Sequence, residues 1–111
     1  MASGTIYGTG WETFSPTINA SNGFALRSWG ACDGLKSGNT VIVNVNGMYS
    51  SSEVTANKAM LTIPYTAKAN IVISFAKDTA GIASIYVGQN VIYVNGVEAN
   101  KNMYFQIVIP I

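Results

Sequence analysis

Arg27, Trp29 and Asp33 are the residues most suited to recognition chemistry. They stand in the run Arg27-Ser28-Trp29-Gly30-Ala31-Cys32-Asp33-Gly34, so a cation, an indole and a carboxylate fall within seven residues. An aromatic face covers the C–H side of a pyranose, while charged or amide groups fix its hydroxyls in direction. The three residues therefore form a candidate saccharide site. The competing reading places Trp29 in a core or an interface and makes Arg27 and Asp33 a structural pair. Trp11, after Gly8-Thr9-Gly10, is read as a packing residue. Tyr86, Tyr93 and Tyr104 fall in strand patterns and are read as structural.

Catalysis has little to build on. The acids are Glu12, Asp33, Glu53, Asp78 and Glu98, and there is no His and one Cys, Cys32. Two facing carboxylates could hydrolyse a glycosidic bond, but no spacing here brings two together. Without His, acid–base chemistry at imidazole and Cys/His zinc sites are excluded, and one Cys excludes an intrachain disulfide. The expectation is a non-enzymatic protein with no catalytic residues, no metal and no cofactor. A net charge of +1 without a Lys/Arg cluster gives no footprint for nucleic acid or an anionic membrane. The longest apolar runs, such as Ile107 to Ile111, are too short for a membrane-spanning helix or a signal peptide, so membrane insertion is not expected. Asn19-Ala20-Ser21 matches a glycosylation acceptor and is read as chance. The lone thiol fits synthesis in a reducing cytosol.

The elements that must carry these residues are strands. Val41, Val43 and Val45 alternate with Ile42, Asn44 and Asn46. Ile71, Ile73 and Phe75 alternate with Val72 and Ser74, and Met103, Phe105, Ile107 and Ile109 with Tyr104, Gln106 and Val108. β-Branched and aromatic residues at period two predict strands at 5–7, 24–29, 40–48, 60–63, 70–76, 82–87, 91–94 and 103–109. Region 11–23 stays unassigned. Gly88-Gln89-Asn90 predicts a hairpin between two of these strands, and Asn95-Gly96 a type I′ turn. Asn46-Gly47 has the same letters, and both a turn and a bulge or bend inside a continuing strand stay open there. Pro64 and Pro110 belong at strand ends or sheet edges. About eight short strands predict an all-β chain, a compact antiparallel β-sandwich or small β-barrel. The 111 residues form one domain, 1–111, with 1–7 as a flexible lead-in or neck remnant.

Apolar residues make up 49% of the chain and charged residues 10%, less than half the usual ~25%. A small domain has little interior, so part of this material is expected against another chain. The apolar end Phe105–Ile111 is either a central strand or a terminus gathered at an oligomer axis.

The order of these pieces resembles a family. The stretch Asn39-Thr-Val-Ile-Val-Asn-Val-Asn-Gly-Met48, followed by a Ser-rich loop, is similar to the "G-x-x-V-x-V-x-G-x" strand of head domains in phage tail-fibre and baseplate receptor-binding proteins. Leu61-Thr62-Ile63-Pro64 stands where those heads carry a short "L-P" segment. A strand like Asn70–Ala76, a hairpin like Ile82–Val94 and a last strand with Pro near its end follow, and Gly10-Trp11 matches fibre tips. The resemblance spans residues 8–111 and is nearest to heads from phages of Gram-positive hosts such as lactococci. It implies a small β-barrel head that forms a homotrimer and binds host cell-wall saccharides in shallow sites, often between subunits. It also implies contacts with other tail or baseplate proteins, and location in the virion after synthesis in the host cytoplasm. Those heads follow a shoulder and neck, whereas only about ten residues precede the pattern here. Their sites sometimes use a His, which this chain lacks, so no ligand residue transfers by motif. The functional expectation is a non-enzymatic receptor-binding (adhesion) head. The alternatives are a structural virion protein without glycan binding and a monomeric carbohydrate-binding module.

Overall fold

A computed structural model describes residues 6, 7 and 10–111. The described residues form ten strands, β1 (Ile6–Tyr7), β2 (Trp11–Phe14), β3 (Thr17–Ile18), β4 (Phe24–Ser37), β5 (Thr40–Ser50), β6 (Lys58–Thr62), β7 (Ile71–Ala76), β8 (Ile82–Gly88), β9 (Val91–Asn95) and β10 (Met103–Pro110). A 3₁₀ turn at Ala20–Asn22 precedes β4. The strands build two five-stranded antiparallel sheets, ordered β1-β2-β4-β5-β10 (sheet A) and β3-β6-β9-β8-β7 (sheet B). This is the sandwich of the two expected all-β architectures. No helix among the described residues is long and apolar enough to cross a membrane.

The period-two pattern determines which side chains meet between the sheets. Val41, Val43 and Val45 of β5 and Met103, Ile107 and Ile109 of β10 point inward from sheet A. Ile85 and Val87 of β8, Ile92 and Val94 of β9, and Met60 and Leu61 of β6 answer from sheet B. Each such side chain contributes ~1.5–3 kcal/mol by leaving water. Opposed edges also touch across the layer, with Phe75 of β7 and Phe105 of β10 at 5.2 Å between ring centroids.

Several expectations are corrected. The strand expected at 24–29 runs to Ser37. Gly30 and Gly34 hide this continuation from a propensity reading. Gly34 is required, because an added Cβ would lie 2.4–2.6 Å from the Phe14 ring above it. Region 11–23 holds β2, β3 and the turn. The lead-in expected at 1–7 is partly strand, since Ile6 and Tyr7 pair with Glu12 and Trp11, while residues 1–5 lie outside the described residues. Asn95-Gly96 does not close a hairpin. Asn95 still pairs with Ser84, the Gly96 amide donates to the Val54 carbonyl at 3.0 Å, and the chain crosses to sheet A. Burial of Met103, Ile107 and Ile109 beside β5 explains the crossing.

Candidate functional site

The middle of sheet A carries a break in register built on one glycine. Asn46 pairs with Tyr104 and Met48 with Met103, so Gly47 has no partner on β10. On the other side Leu26 pairs with Met48 and Ala31 with Asn46, so Arg27–Gly30 stand opposite Gly47 alone. Gly47 has φ +76°, a left-handed conformation that favours glycine. This is a glycine-type β-bulge, and its extra residue turns Met48 into the core after Asn46 has faced out. Of the alternatives left open at Asn46-Gly47, the structure has the bulge.

Trp29 rises from the excursion and lies over Gly47, where an added Cβ would sit 2.5 Å from indole Cζ3. The indole stacks against Tyr104 with ring centroids 6.1 Å apart and planes 16° from parallel. Trp29 is 56% exposed and Tyr104 44%, so the two nearly parallel rings form a step open to solvent. Gly30 completes the turn, packed so closely on the Asn46 and Gly47 carbonyls that a Cβ would approach them to 2.7 and 2.8 Å.

The step borders a polar row. Antiparallel partners share a face, so Asn46 lies beside Tyr104, and Asp33 and Asn44 form the next row of the outer face. Rows two residues apart lie about 7 Å from each other along the strands. The side chains of Asp33, Asn44 and Asn46 bond no other described residue. An open groove of about 350 Å³ lies beside Asp33 and Asn44, walled by Thr13, Ser15 and Leu35. Aromatic stacking, one carboxylate and two amides thus face the same side of one sheet.

The three residues singled out in the sequence take different roles. Trp29 is the exposed ring and Asp33 lies on the same outer face. Arg27 is not a partner of Asp33. Its Nε donates to Asn102 Oδ1 at 2.6 Å, its Nη2 donates to the Asn100 carbonyl at 2.6 Å, and its guanidinium lies 3.9 Å from the Tyr49 ring centroid. Arg27 pins the segment before β10 to the sheet, where Asn100 has φ +62°. The sequence reading missed Tyr104 as a site residue. Its signal is an aromatic residue on the solvent side of the alternation, and only the fold brings it to Trp29.

Cys32 pairs with Val45 and faces the core side. Burial, and secondarily the charge of Asp33, push its thiol up to about 12, so it stays protonated at neutral pH and is a poor nucleophile. Glu98 lies apart, near β7, where Lys77 at 2.5 Å and the Thr79 hydroxyl both donate to its carboxylate. Those hydrogen bonds hold its carboxyl below the usual carboxylate value. No group of His, Cys, Asp and Glu among the described residues is placed to hold a metal ion. Compared with known protein families, curated proteins and solved structures, the chain matches none.

Proposed function

We propose that this chain is a non-enzymatic adhesion module whose outer sheet A face binds a saccharide. Its biological setting is the one implied by the resemblance to phage receptor-binding heads, recognition of a host cell-surface saccharide from the virion. The observation that carries the reading is the exposed Trp29–Tyr104 step, fixed by a bulge and bordered by Asn46, Asn44 and Asp33. A ring of this kind covers the apolar face of a pyranose, and the neighbouring amides and carboxylate hydrogen-bond its hydroxyls. One shallow site binds weakly, and several heads on one particle supply avidity through effective concentration.

The test is adsorption of the purified chain to bacteria whose cell-wall polysaccharide is its receptor. Trp29→Ala is expected to lower binding about tenfold, the factor ~1.4 kcal/mol represents, with the circular dichroism spectrum unchanged. Equal binding by the variant and the native chain would remove this face from recognition.

A further inference from the structure

We infer that the β10 edge of sheet A pairs with the same edge of a second copy, antiparallel across a two-fold axis at Gln106. The inference is independent of the saccharide reading. The sheet edges are unevenly protected. On one side of the sandwich the outermost strand of sheet B, β3, has only two residues. Very short strands are one way natural proteins blunt an edge. On the other side β7 has six residues and β10 eight, and each is the last strand of its sheet. β7 carries no proline or break in register, and β10 has its proline and its break in register only at its two ends. No charged residue occurs from 70 to 76 or from 102 to 111. Exposed apolar side chains flank these edge strands on the two outer faces, Val72 67% and Ile82 69% exposed on sheet B and Val108 53% on sheet A.

The backbone of β10 shows which groups are unpaired. The Ile111 amide donates to the Asn39 carbonyl, which makes that pair hydrogen-bonded within the sheet. The Pro110 carbonyl instead points outward and accepts from the Lys68 amide at 2.8 Å. Hydrogen bonding alternates along an antiparallel strand. Tyr104, Gln106 and Val108 therefore turn their N–H and C=O groups away from β5. Lys68 closes this free stretch at one end and the break in register at Met103/Tyr104 closes it at the other.

A second copy fits this stretch. A two-fold axis at Gln106 sets Tyr104 opposite Val108 of the partner subunit and Gln106 opposite itself. Every free backbone group then finds a mate, and the side-chain pairs are aromatic on aliphatic and amide on amide. A three-fold arrangement of the same edges, as in the homotrimer that the resemblance to phage heads implies, would bury those backbone groups unpaired, which is costly, so the two-fold pairing departs from that expectation. The free stretch from Tyr104 to Val108, at ~3.4 Å per residue, is about 17 Å long, and with two sheets ~10 Å apart plus side chains it covers roughly 350 Å² in projection. That is less than the ~800 Å² each partner contributes to a standard interface, so the pairing rests on the strand-to-strand hydrogen bonds and is a weak contact. An isologous contact also closes on itself, which stops the edge from seeding fibres.

Sedimentation equilibrium of the whole chain tests this. The expected result is a mass twice that of the 11.8-kDa chain. A threefold mass, or a single chain at concentrations of about 100 μM, overturns the pairing. Val108→Lys places a charge on an exposed position and is expected to give a monomer with an unchanged circular dichroism spectrum. A Val108→Lys dimer would mean that another surface holds the copies. Gln106→Glu puts two carboxylates face to face at the axis, and the nearest charged side chain in its row is Asp33, two strands away. That variant is expected to be monomeric at pH 7 and to pair again as pH falls through the carboxylate range. Pairing by Gln106→Glu that ignores pH would place the axis elsewhere and refute the register.

Discussion

The two outer faces of the sandwich set a pair of aromatic rings on very different supports. On sheet B, Tyr86 and Tyr93 are direct cross-strand partners in an unbroken register, with ring centroids 5.5 Å apart and planes tilted by 42°. Both are only partly exposed, and their rows hold Val72, Ser74, Ser84 and Asn95 without a charged residue. On sheet A, Trp29 and Tyr104 meet across a bulge, lie nearly parallel and stand beside Asp33, Asn44 and Asn46. Regular pairing of β8 with β9 leaves an uncharged surface, where the rings pack on each other beside an open groove of about 400 Å³ lined by Asn70, Gly88, Gln89 and Val91. The irregular one lifts a ring clear of its neighbours and holds it there. A left-handed glycine and an excursion of four residues support the ring pair only on sheet A, whereas on sheet B a one-residue shift between Ala59 and Leu61 lies beside Tyr93, which is why sheet A carries the functional reading.

That contrast can be broken by substitution, and the largest effect is expected at Arg27. Its two charge-assisted hydrogen bonds anchor Asn100 and Asn102 beneath the bulge. Arg27→Met is expected to lower stability by about 1.5–3 kcal/mol in chemical denaturation, and no single substitution on the outer face of sheet B should match it. Next come the glycines beside each ring pair. Gly47→Ala forces a side chain into left-handed backbone, for about 1–2 kcal/mol, and its Cβ displaces the indole, so saccharide binding falls with it. Gly88→Ala meets Tyr86 at 3.0 Å with no backbone strain, and thermal denaturation should register less than ~1 kcal/mol.

The smallest effect lies away from both faces. Glu98 is held ionised by Lys77 and Thr79, so its folded pKa is below the unfolded value. Its contribution is present above the unfolded pKa and is lost as pH falls through the lowered folded value. Glu98→Gln should therefore melt slightly below the native chain at pH 7, and the two melting temperatures should converge in acid. A difference that persists or grows in acid would place the interaction elsewhere.

Much of the scaffold was legible because its strands alternate. The inward series at Val41–Val45 and Ile107–Ile109 and the turn at Gly88–Asn90 follow directly from period two and turn chemistry. What stayed hidden depends on contacts distant in sequence. Gly34 weakens a strand signal, yet it is there because Phe14 packs onto its Cα. Asn95-Gly96 has hairpin letters, but the buried face of β10 belongs in the opposite sheet. In the site, Trp29 was visible as an indole among polar neighbours. Tyr104 was not, because its partnership with Trp29 exists only once β10 lies beside β5. Arg27 was misjudged for the same reason, since its partners Asn100 and Asn102 lie near the other end of the chain.

Recognition is proposed for the outer face of sheet A. NMR titration of the labelled chain with a cell-wall saccharide fragment reads both faces at once. Shifts are expected at the Trp29 indole N–H, the Tyr104 ring and the amides of Asp33 and Asn44, with Val72, Tyr86 and Tyr93 unmoved. Shifts confined to Tyr86 and Tyr93, with Trp29 and Tyr104 unmoved at saturation, would contradict it.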